Sequence, residues 1–596
     1  MRIENIHIKG FRNFDDEKIT FQDKTLIIGA NDVGKTNLIY ALRLLFDKSI
    51  SERDLELSDS DYNAYSKTDQ IEITVTITNV VEECLLSAFA GAVKDETVLI
   101  RYTNSKNGAY KLFVGFSENT LEEITTRQYI RRLNMQCVDT NRDLLAFLKR
   151  ERAQILQLAK EKLSEDEITS DEKTSIEIQE KLDSINEQLN SMNYIASALD
   201  YVNQELVELS IHNEDQNIKF VAGESDADKL LKNLKLAYSS EDHILTLGGD
   251  GRNNQIFLAT WIAKQNIQKD IDCVTFYAIE EPEAHLHPHQ QRKLSEYIQN
   301  HFNDQVLITS HSPHIASRFD SKCIVRLYSK AKLTHSACGG CSTILQEVIN
   351  EFSYRLNSLS AEVFFADGVF LVEGTSEVLF YNALAKALKI DLDRFNISVL
   401  SVEGVGFEPY VAVCNALNIP WTLRTDNDIF SKPTKNPEKH YYAGISRIMK
   451  ILKGLCSGTD NDLCNYWEKH KSENEWPYET EPDKVAKELN SYIRTQATPY
   501  GLYLSDIDLE NDLANSPLKI ALETHYGKEK VDTLVKAMQT RKAENMMDFL
   551  TENYDELSCL ANDNIVLPLR NLISTVEERI HPKNDYRTNT RTTVNN

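Results

Sequence analysis

Three short stretches of this chain and a later group of carboxylates combine residue types and spacings that imply chemistry. In the first, the apolar run Leu26–Ile28 meets Gly29-Ala30-Asn31-Asp32-Val33-Gly34-Lys35-Thr36-Asn37, of the form G-x-x-x-x-G-K-T, and Leu38, Leu42 and Leu45 follow at helical spacing. Strand, loop and helix in that order suit a polyphosphate. The glycines let backbone N–H groups close around it, the helix N-terminus adds partial positive charge, Lys35 reaches the β and γ phosphates, and Thr36 offers a hydroxyl to Mg²⁺. An ordinary glycine-containing turn is the bland alternative, which the flanking strand and helix argue against. In the second stretch the apolar run Val274–Ile279 ends in Glu280-Glu281-Pro282-Glu283. Paired acids at a strand end serve Mg²⁺-nucleotide chemistry, one carboxylate near the metal and the next orienting the attacking water. In the third, Val306–Ser310 ends at His311, which could sense a γ-phosphate.

The fourth group lies in the second half and consists of carboxylates. Glu373 closes the buried run Val369–Val372, where open parallel sheets place their chemistry, and Glu377 falls in the first turn of the helix that follows. Two carboxylates four residues apart across such a turn can face one metal. Trp421–Thr425 leads into Asp426-Asn427-Asp428, a D-x-D whose spacing by two on an extended segment turns both aspartates to one side. Taken alone, that tripeptide is also a common turn or cap. Tyr503–Leu513 brings Asp506, Asp508, Glu510 and Asp512, for which a capped loop before a helix is the plain alternative, and Gln539–Lys542 brings a cation.

Several elements must position these groups. Residues 1–21 alternate through Ile3, Ile6, Ile8, Phe11, Phe14, Ile19 and Phe21, and are expected to pair as strands beside the phosphate-loop strand. Ile71–Thr78 alternates cleanly, and Val98–Tyr102 with Tyr110–Phe116 reads as a hairpin. From Phe116 to Ala222 there is no Gly or Pro. Within that region Ile178, Leu182, Ile185, Leu189, Met192, Ala196, Leu199, Asn203 and Leu206 form a heptad seam. An earlier helical run over Asn141–Leu163, separated by Ser164-Glu165-Asp166-Glu167, predicts two helices folded back on each other. They form either a solvated hairpin or a dimerisation element. Cys338-Gly339-Gly340-Cys341 reads as a glycine turn with two free thiols rather than a zinc site, since no second pair follows at finger spacing.

With 596 residues, 41% hydrophobic and 26% charged, the chain is expected to be a soluble protein of more than one domain. No apolar run approaches a membrane span, the opening Met1–Glu4 runs straight into a strand pattern, and ten scattered cysteines fit a reducing compartment. The expected location is the cytoplasm, away from membranes. A net charge of −25 argues against coating nucleic acid over the whole surface but leaves room for a local basic groove or a metal-bridged phosphate contact.

The order of phosphate loop, inserted helices, paired acids and strand-end histidine resembles the ABC-type ATPase heads of SMC-like and OLD-family proteins. The resemblance implies nucleotide contacts from Gly29, Asn31, Gly34, Lys35, Thr36 and Asn37, with Glu280 ending Walker B, Glu281 as catalytic glutamate and His311 as switch histidine. Leu247–Arg252 would be the signature loop, with Gly249 and Arg252 facing a partner subunit's nucleotide. Gly248 stands where a serine is usual, which puts fast hydrolysis in doubt. Glu373 with Asp426 and Asp428 resembles the E…D-x-D set of the Toprim domain, and the whole order through L-E-N-D-L and the late lysine resembles class 2 OLD nucleases of the Gabija type. That resemblance implies ATP, two Mg²⁺ or Mn²⁺ ions held by Glu373, Glu377, Asp426, Asp428, Glu510 and Asp512, and phosphate chemistry by Lys542.

The implied fold is α/β, an ABC-type head (1–138 and 216–348) with a helical dimerisation insert (139–215), then an α/β Toprim domain (349–581) and a disordered tail (582–596). The implied activity is ATP-regulated, metal-dependent cleavage of DNA in antiphage defence, by a homo-oligomer (dimer or tetramer) with a helicase-like partner subunit. A non-nucleolytic DNA-repair ATPase and a retron-associated OLD-family nuclease are the alternatives.

Overall fold

Burial on both faces is what separates the phosphate-loop strand from the strands that precede it. The computed structural model describes residues 1–582 except 90, 107, 140–155, 158, 210–217, 221–226, 228–229, 231–237, 241–242, 246–249, 268–272, 303, 344–359, 433–437, 457–459 and 479. The first strands are β1 (Arg2–Phe11), β2 (Phe14–Thr20), β3 (Lys24–Ile28), β4 (Gln70–Thr78), β5 (Val98–Ser105), β6 (Lys111–Gly115), β7 (Glu122–Ile124) and β8 (Leu133–Val138). An antiparallel sheet of order β2-β1-β4-β5-β6-β7 uses the alternating segments. Its inward residues Ile3, Ile6, Ile8, Ile71, Ile73, Val75 and Ile77 share a core with Leu38, Leu42 and Leu45 of the helix Lys35–Phe46.

The expectation that residues 1–21 pair beside β3 is corrected here, because β1 pairs with β2 and β4. The alternating pattern specifies a half-buried strand without specifying its neighbour. Leu26, Ile27 and Ile28, all fully buried, lie instead in a second sheet.

That sheet adds β11 (Val274–Glu280), β12 (Val306–Ser310), β13 (Ile324–Lys330) and β14 (Leu333–Ser336), in the order β14-β13-β3-β12-β11-β8, parallel except for β13/β14. Its two central strands end at the phosphate loop and at His311. The carboxyl-terminal module holds a parallel sheet of order β16-β15-β17-β21, built from β15 (Gly368–Val372), β16 (Ile397–Ser401), β17 (Trp421–Thr425) and β21 (Leu502–Leu504). Beside it stands a small antiparallel sheet, β18 (Ile429–Lys432), β19 (Lys439–Tyr442) and β20 (Glu475–Pro477).

The two modules form one compact unit with a polar clasp at its centre. Arg326 of β13 is buried and donates to the carbonyl oxygens of Phe364 (3.0 Å), Ala366 (2.7 Å) and Leu417 (3.0 Å).

A second compact unit comprises Asp139–Ile271 with Ala284–His287. Its described helices are Glu165–Asn190, Asn193–Leu209 and Asp250–Ile267, and β9 (Tyr238–Ser240) pairs with β10 (His243–Leu245). Two expectations change here. The acidic stretch after Leu163 is the first turn of a helix, with Ser164 and Glu167 closing a capping box (Ser164 Oγ to Glu167 Oε2, 2.7 Å), since carboxylates are favoured at a helix N-terminus. The heptad seam is divided at Ser191–Met192 between two helices. Most of the expected helix Asn141–Leu163 and nearly all of the tail lie outside the described residues. Among the described residues no helix is long and apolar enough to cross a membrane.

Candidate functional site

The phosphate loop is shaped by its glycines and held from behind by asparagine. Gly34 has φ 106°, and a Cβ there would come within 2.2 Å of Asn13 Nδ2. Asn13 donates to the Val33 carbonyl (2.9 Å) and accepts from Asn37 Nδ2 (2.7 Å), so Asn37 supports the loop from the helix that follows. Arg12 donates to Asn37 Oδ1 at 2.7 Å. Neither Arg12 nor Asn13 stands out in the sequence as more than part of a strand pattern. Asn31 is exposed at the loop's outer edge.

Lys35 is buried, and its ammonium donates to the carbonyls of Gly29 (2.9 Å) and Ala30 (2.8 Å). Burial pushes its pKa down to about 8, against the opposing pull of Glu281, Glu283 and Asp32. Thr36 donates to Glu280 Oε2 at 3.1 Å, so the residues expected near a metal do meet. Glu281 lies 3.5 Å from His311 Nε2. Burial and the charge of Lys35 hold the imidazole below its ordinary pKa. Glu283 accepts from Ser310 Oγ (2.6 Å) and His311 N (2.8 Å), locking the histidine loop to the acidic loop, and its other oxygen is buried without a partner. In the second compact unit, Arg252 is exposed in the first turn of Asp250–Ile267, and Gly249 lies outside the described residues.

The carboxylate cluster forms where strand order reverses. In β16-β15-β17-β21 the first strand, β15, has β16 on one side and β17 on the other, so a crevice opens beyond the ends of β15 and β17. Glu373 follows β15, and Asp426 follows β17. Asp426 N donates to Glu373 Oε1 at 2.9 Å, and Thr425 Oγ1 donates to the same oxygen. Gly444 lets the helix Ala443–Leu455 approach this turn, since a Cβ there would sit 2.4 Å from the Asp426 carbonyl. Asn427 is fully buried and fastens the turn, accepting from Ile445 N and donating to Asn490 Oδ1. The D-x-D thus occupies the short connection between β17 and β18, with Asp426 and Asn427 buried and Asp428 half-buried.

Burial, together with the charges of Glu373 and Glu377, pushes Asp426 up to about 8. Burial raises Glu373 as well, opposed by Arg447, Thr425 and the Asp426 N–H. Asp428 is half-buried, and burial raises it against Arg447 and Lys542. Lys542 Nζ lies 3.0 Å from Glu510 Oε2. Its burial disfavours the ammonium, but Glu510, Asp426 and Asp508 outweigh that and keep it firmly charged.

Sequence position does not anticipate two of the partners. Arg447 Nη1 donates to Glu373 Oε1 at 2.5 Å and also to Thr425 Oγ1. Asp512 is taken up by Arg424 and by Asp506 N (3.0 Å), while Asp508 faces Asp428, Glu510 and Lys542. Asp508 also caps the helix Leu509–Ala514 and accepts from Gln539 Nε2 at 2.6 Å. Arg447 had one visible signal: Lys439–Leu455 contains Lys439, Arg447, Lys450 and Lys453 and no acid, in a chain of net charge −25.

The donor chemistry fits hard divalent cations, since Glu377 and Asp426 are buried, Glu373 is half-buried, and the three are mutually repelling oxygen donors. Among the described residues no three His, Cys, Asp or Glu side chains close on one point. Arg447 is the physical reason at Glu373, because its guanidinium stands against the carboxylate that a cation would share. The cysteine pair is separate from this chemistry: Cys341 is buried against Thr25, and Cys338 donates to the Ala416 carbonyl at 2.9 Å.

Both halves of the chain are similar to known proteins. A family described as "Overcoming lysogenization defect protein-like, TOPRIM domain" matches residues 364–428, and one described as "AAA domain, putative AbiEii toxin, Type IV TA system" matches residues 24–317. Endonuclease GajA of Bacillus cereus (strain VD045) is 26% identical over 591 residues, covering 94% of this chain and 98% of that protein. OLD nuclease of Thermus scotoductus is 25% identical over 468 residues, covering 72% and 82%. A solved C-terminal region of the Burkholderia pseudomallei OLD protein is 24% identical over 36% of this chain and 99% of that one, with a TM-score of 0.22. With a match to an ATPase domain around its phosphate loop and to a Toprim domain around Glu373 and Asp426, the chain is similar to the OLD-family nucleases.

Proposed function

We propose that this chain is a divalent-metal-dependent DNA endonuclease, regulated by ATP bound at Lys35 and acting in the cytoplasm in defence against phage. The observation that carries the reading is the cluster of half-buried Glu373 with buried Glu377 and Asp426 at the crevice of a parallel sheet, with Lys542 beside it. A site that only bound DNA would oppose phosphate charge with such a group. Divalent cations held by Glu373, Glu377, Asp426, Asp428 and Glu510, of which two are proposed, would supply an activated water and neutralise the leaving oxygen. Lys542, kept charged by its acidic neighbours, is suited to hold a non-bridging phosphate oxygen. Arg447 is suited to do the same once Glu373 turns to a cation. Nicking of supercoiled plasmid by the purified protein tests the reading. Activity with Mg²⁺ or Mn²⁺ that stops in chelator supports it, and a protein that never cuts, with or without ATP, overturns it in favour of a DNA-repair ATPase.

The nucleotide half of the proposal makes a pH prediction. Bound phosphates stabilise charged Lys35, whose pKa is about 8 in the free protein. ATP binding should therefore take up a proton at higher pH. Affinity should be insensitive to pH through Lys35 below about pH 8 and fall above it by up to about tenfold per pH unit. Titrations with Lys35→Ala alongside check this. The variant should bind weakly and lose that slope, and a parent affinity that stays flat to about pH 10 would refute it.

Assembly is proposed through the helices Glu165–Asn190 and Asn193–Leu209, with a helicase-like subunit as a further partner. Ile176, Ile185, Met192, Tyr194 and Tyr201 are exposed there, an apolar surface that a partner helix could cover. Replacing Leu182, Ile185 and Leu189 with Gln should lower the mass measured by light scattering, and an unchanged mass would reduce the segment to a solvated hairpin.

A further inference from the structure

The small sheet that grows out of the Asp426–Asp428 turn is not needed to hold the carboxylates, and one of its faces is built unlike a solvated surface. β18 starts at Ile429, directly after Asp428, and the Asp428 carbonyl accepts from Ala443 N at 2.8 Å, so the hairpin and the Arg447 helix share one base. The register pairs Phe430 with Tyr441 and Lys432 with Lys439, which puts these four side chains on one face. Phe430 is 48% exposed, and its ring stands edge-on to Tyr441 with centroids 6.4 Å apart. Lys432 Nζ lies 4.6 Å from the Tyr441 ring centre. Lys432 and Lys439 share a single carboxylate, Glu475, at 2.6 and 3.6 Å, leaving the face net positive. On the opposite face Trp476 is buried against Tyr442, which stiffens the sheet.

Resting on the nuclease reading, we propose that this face receives an unpaired base of a DNA strand, stacked on Phe430 next to the phosphate that is cut. Phe430 lies two positions along the chain from Asp428, at most roughly 7 Å, about the reach from a phosphate to a neighbouring base. Bases within a duplex have their faces covered by their neighbours, so a ring presented this way selects single-stranded or locally opened DNA. Charge complementarity points the same way. The acid-free run Lys439–Leu455 continues from this face into the Arg447 helix, where the exposed Lys450 and Lys453 form ion pairs with Glu408 and Glu468, contacts that phosphates can replace.

The test is binding of a short fluorescein-labelled oligonucleotide, single-stranded or as a duplex, by the full chain in chelator. Phe430→Ala should weaken single-strand binding about tenfold and leave duplex binding near the parent's. Phe430→Trp should restore it, whereas Phe430→Leu, apolar without a π face, should not. Phe430 is exposed, so an unchanged melting temperature is expected for all three. Single-strand affinity equal to the parent's in Phe430→Ala, or an equal loss on the duplex, overturns the inference. If the parent cuts plasmid and Phe430→Ala binds single strands normally, only this inference fails. A parent that neither binds nor cuts DNA overturns both readings.

Discussion

Asp426→Asn should lower plasmid nicking on the order of a thousandfold or more while making the metal-free protein more stable. The two effects have one cause. Asp426 is buried against Glu373 and Glu377, and its carboxyl is pushed up to about 8 from an ordinary value near 4. A carboxyl whose pKa is raised by folding binds its proton more tightly in the folded state. Its contribution to stability therefore falls as pH rises through the window from about 4 to about 8. The isosteric amide has no charge to bury, so the variant should gain over the parent towards the upper end of that window and lose the corresponding slope. Urea unfolding in chelator at several pH values measures this, beside nicking assays in Mg²⁺. Gain of stability with loss of cutting separates removal of a metal ligand from misfolding. A variant that cuts like the parent would refute the assignment, and one destabilised at neutral pH would refute the electrostatic account.

Arg326→Leu should cost about 3–5 kcal/mol of stability, although Arg326 touches neither candidate site. Its guanidinium donates to three carbonyls, from Phe364, Ala366 and Leu417, and lies 3.9 Å from Asp367. Burial pushes its pKa down to about 10, which still leaves it charged at neutral pH. Removing it strands three buried acceptors between the ATPase sheet and the Toprim domain. Lysine should rescue only in part, because a single ammonium cannot span the planar fork of contacts. Two unfolding transitions in place of one would identify the clasp as what couples the two domains. A urea midpoint equal to the parent's would show that it does not.

Much of the fold could be read from sequence because it follows from local chemistry. The phosphate loop, the helix after it, the paired acids behind β11 and the strand-end positions of Glu373, Asp426 and His311 each depend on neighbours a few residues away. Polar alternation, glycine at Gly34 and apolar runs such as Val369–Val372 are short-range instructions, and these particular elements formed where their patterns stood. Family resemblance then supplied roles that spacing alone left open between a metal site and a capped turn.

What only the tertiary structure decided is pairing across distance. Alternation made β1 and β2 strands, but their neighbours were selected by which faces could be buried together, and β3 went to a different sheet. Arg447 reaches Glu373 across 74 positions because Gly444 lets its helix close on the Asp426 turn. Among the four acids between Asp506 and Asp512, the chain direction around one helix cap decided the outcome, giving Asp508 to Asn511 and Gln539, Glu510 to Lys542 and Asp512 to Arg424. The sequence by itself therefore determined which residues could do chemistry. Which of them meet was left to long-range packing, since a side chain's partners are set by the faces buried around it and not by its distance along the chain.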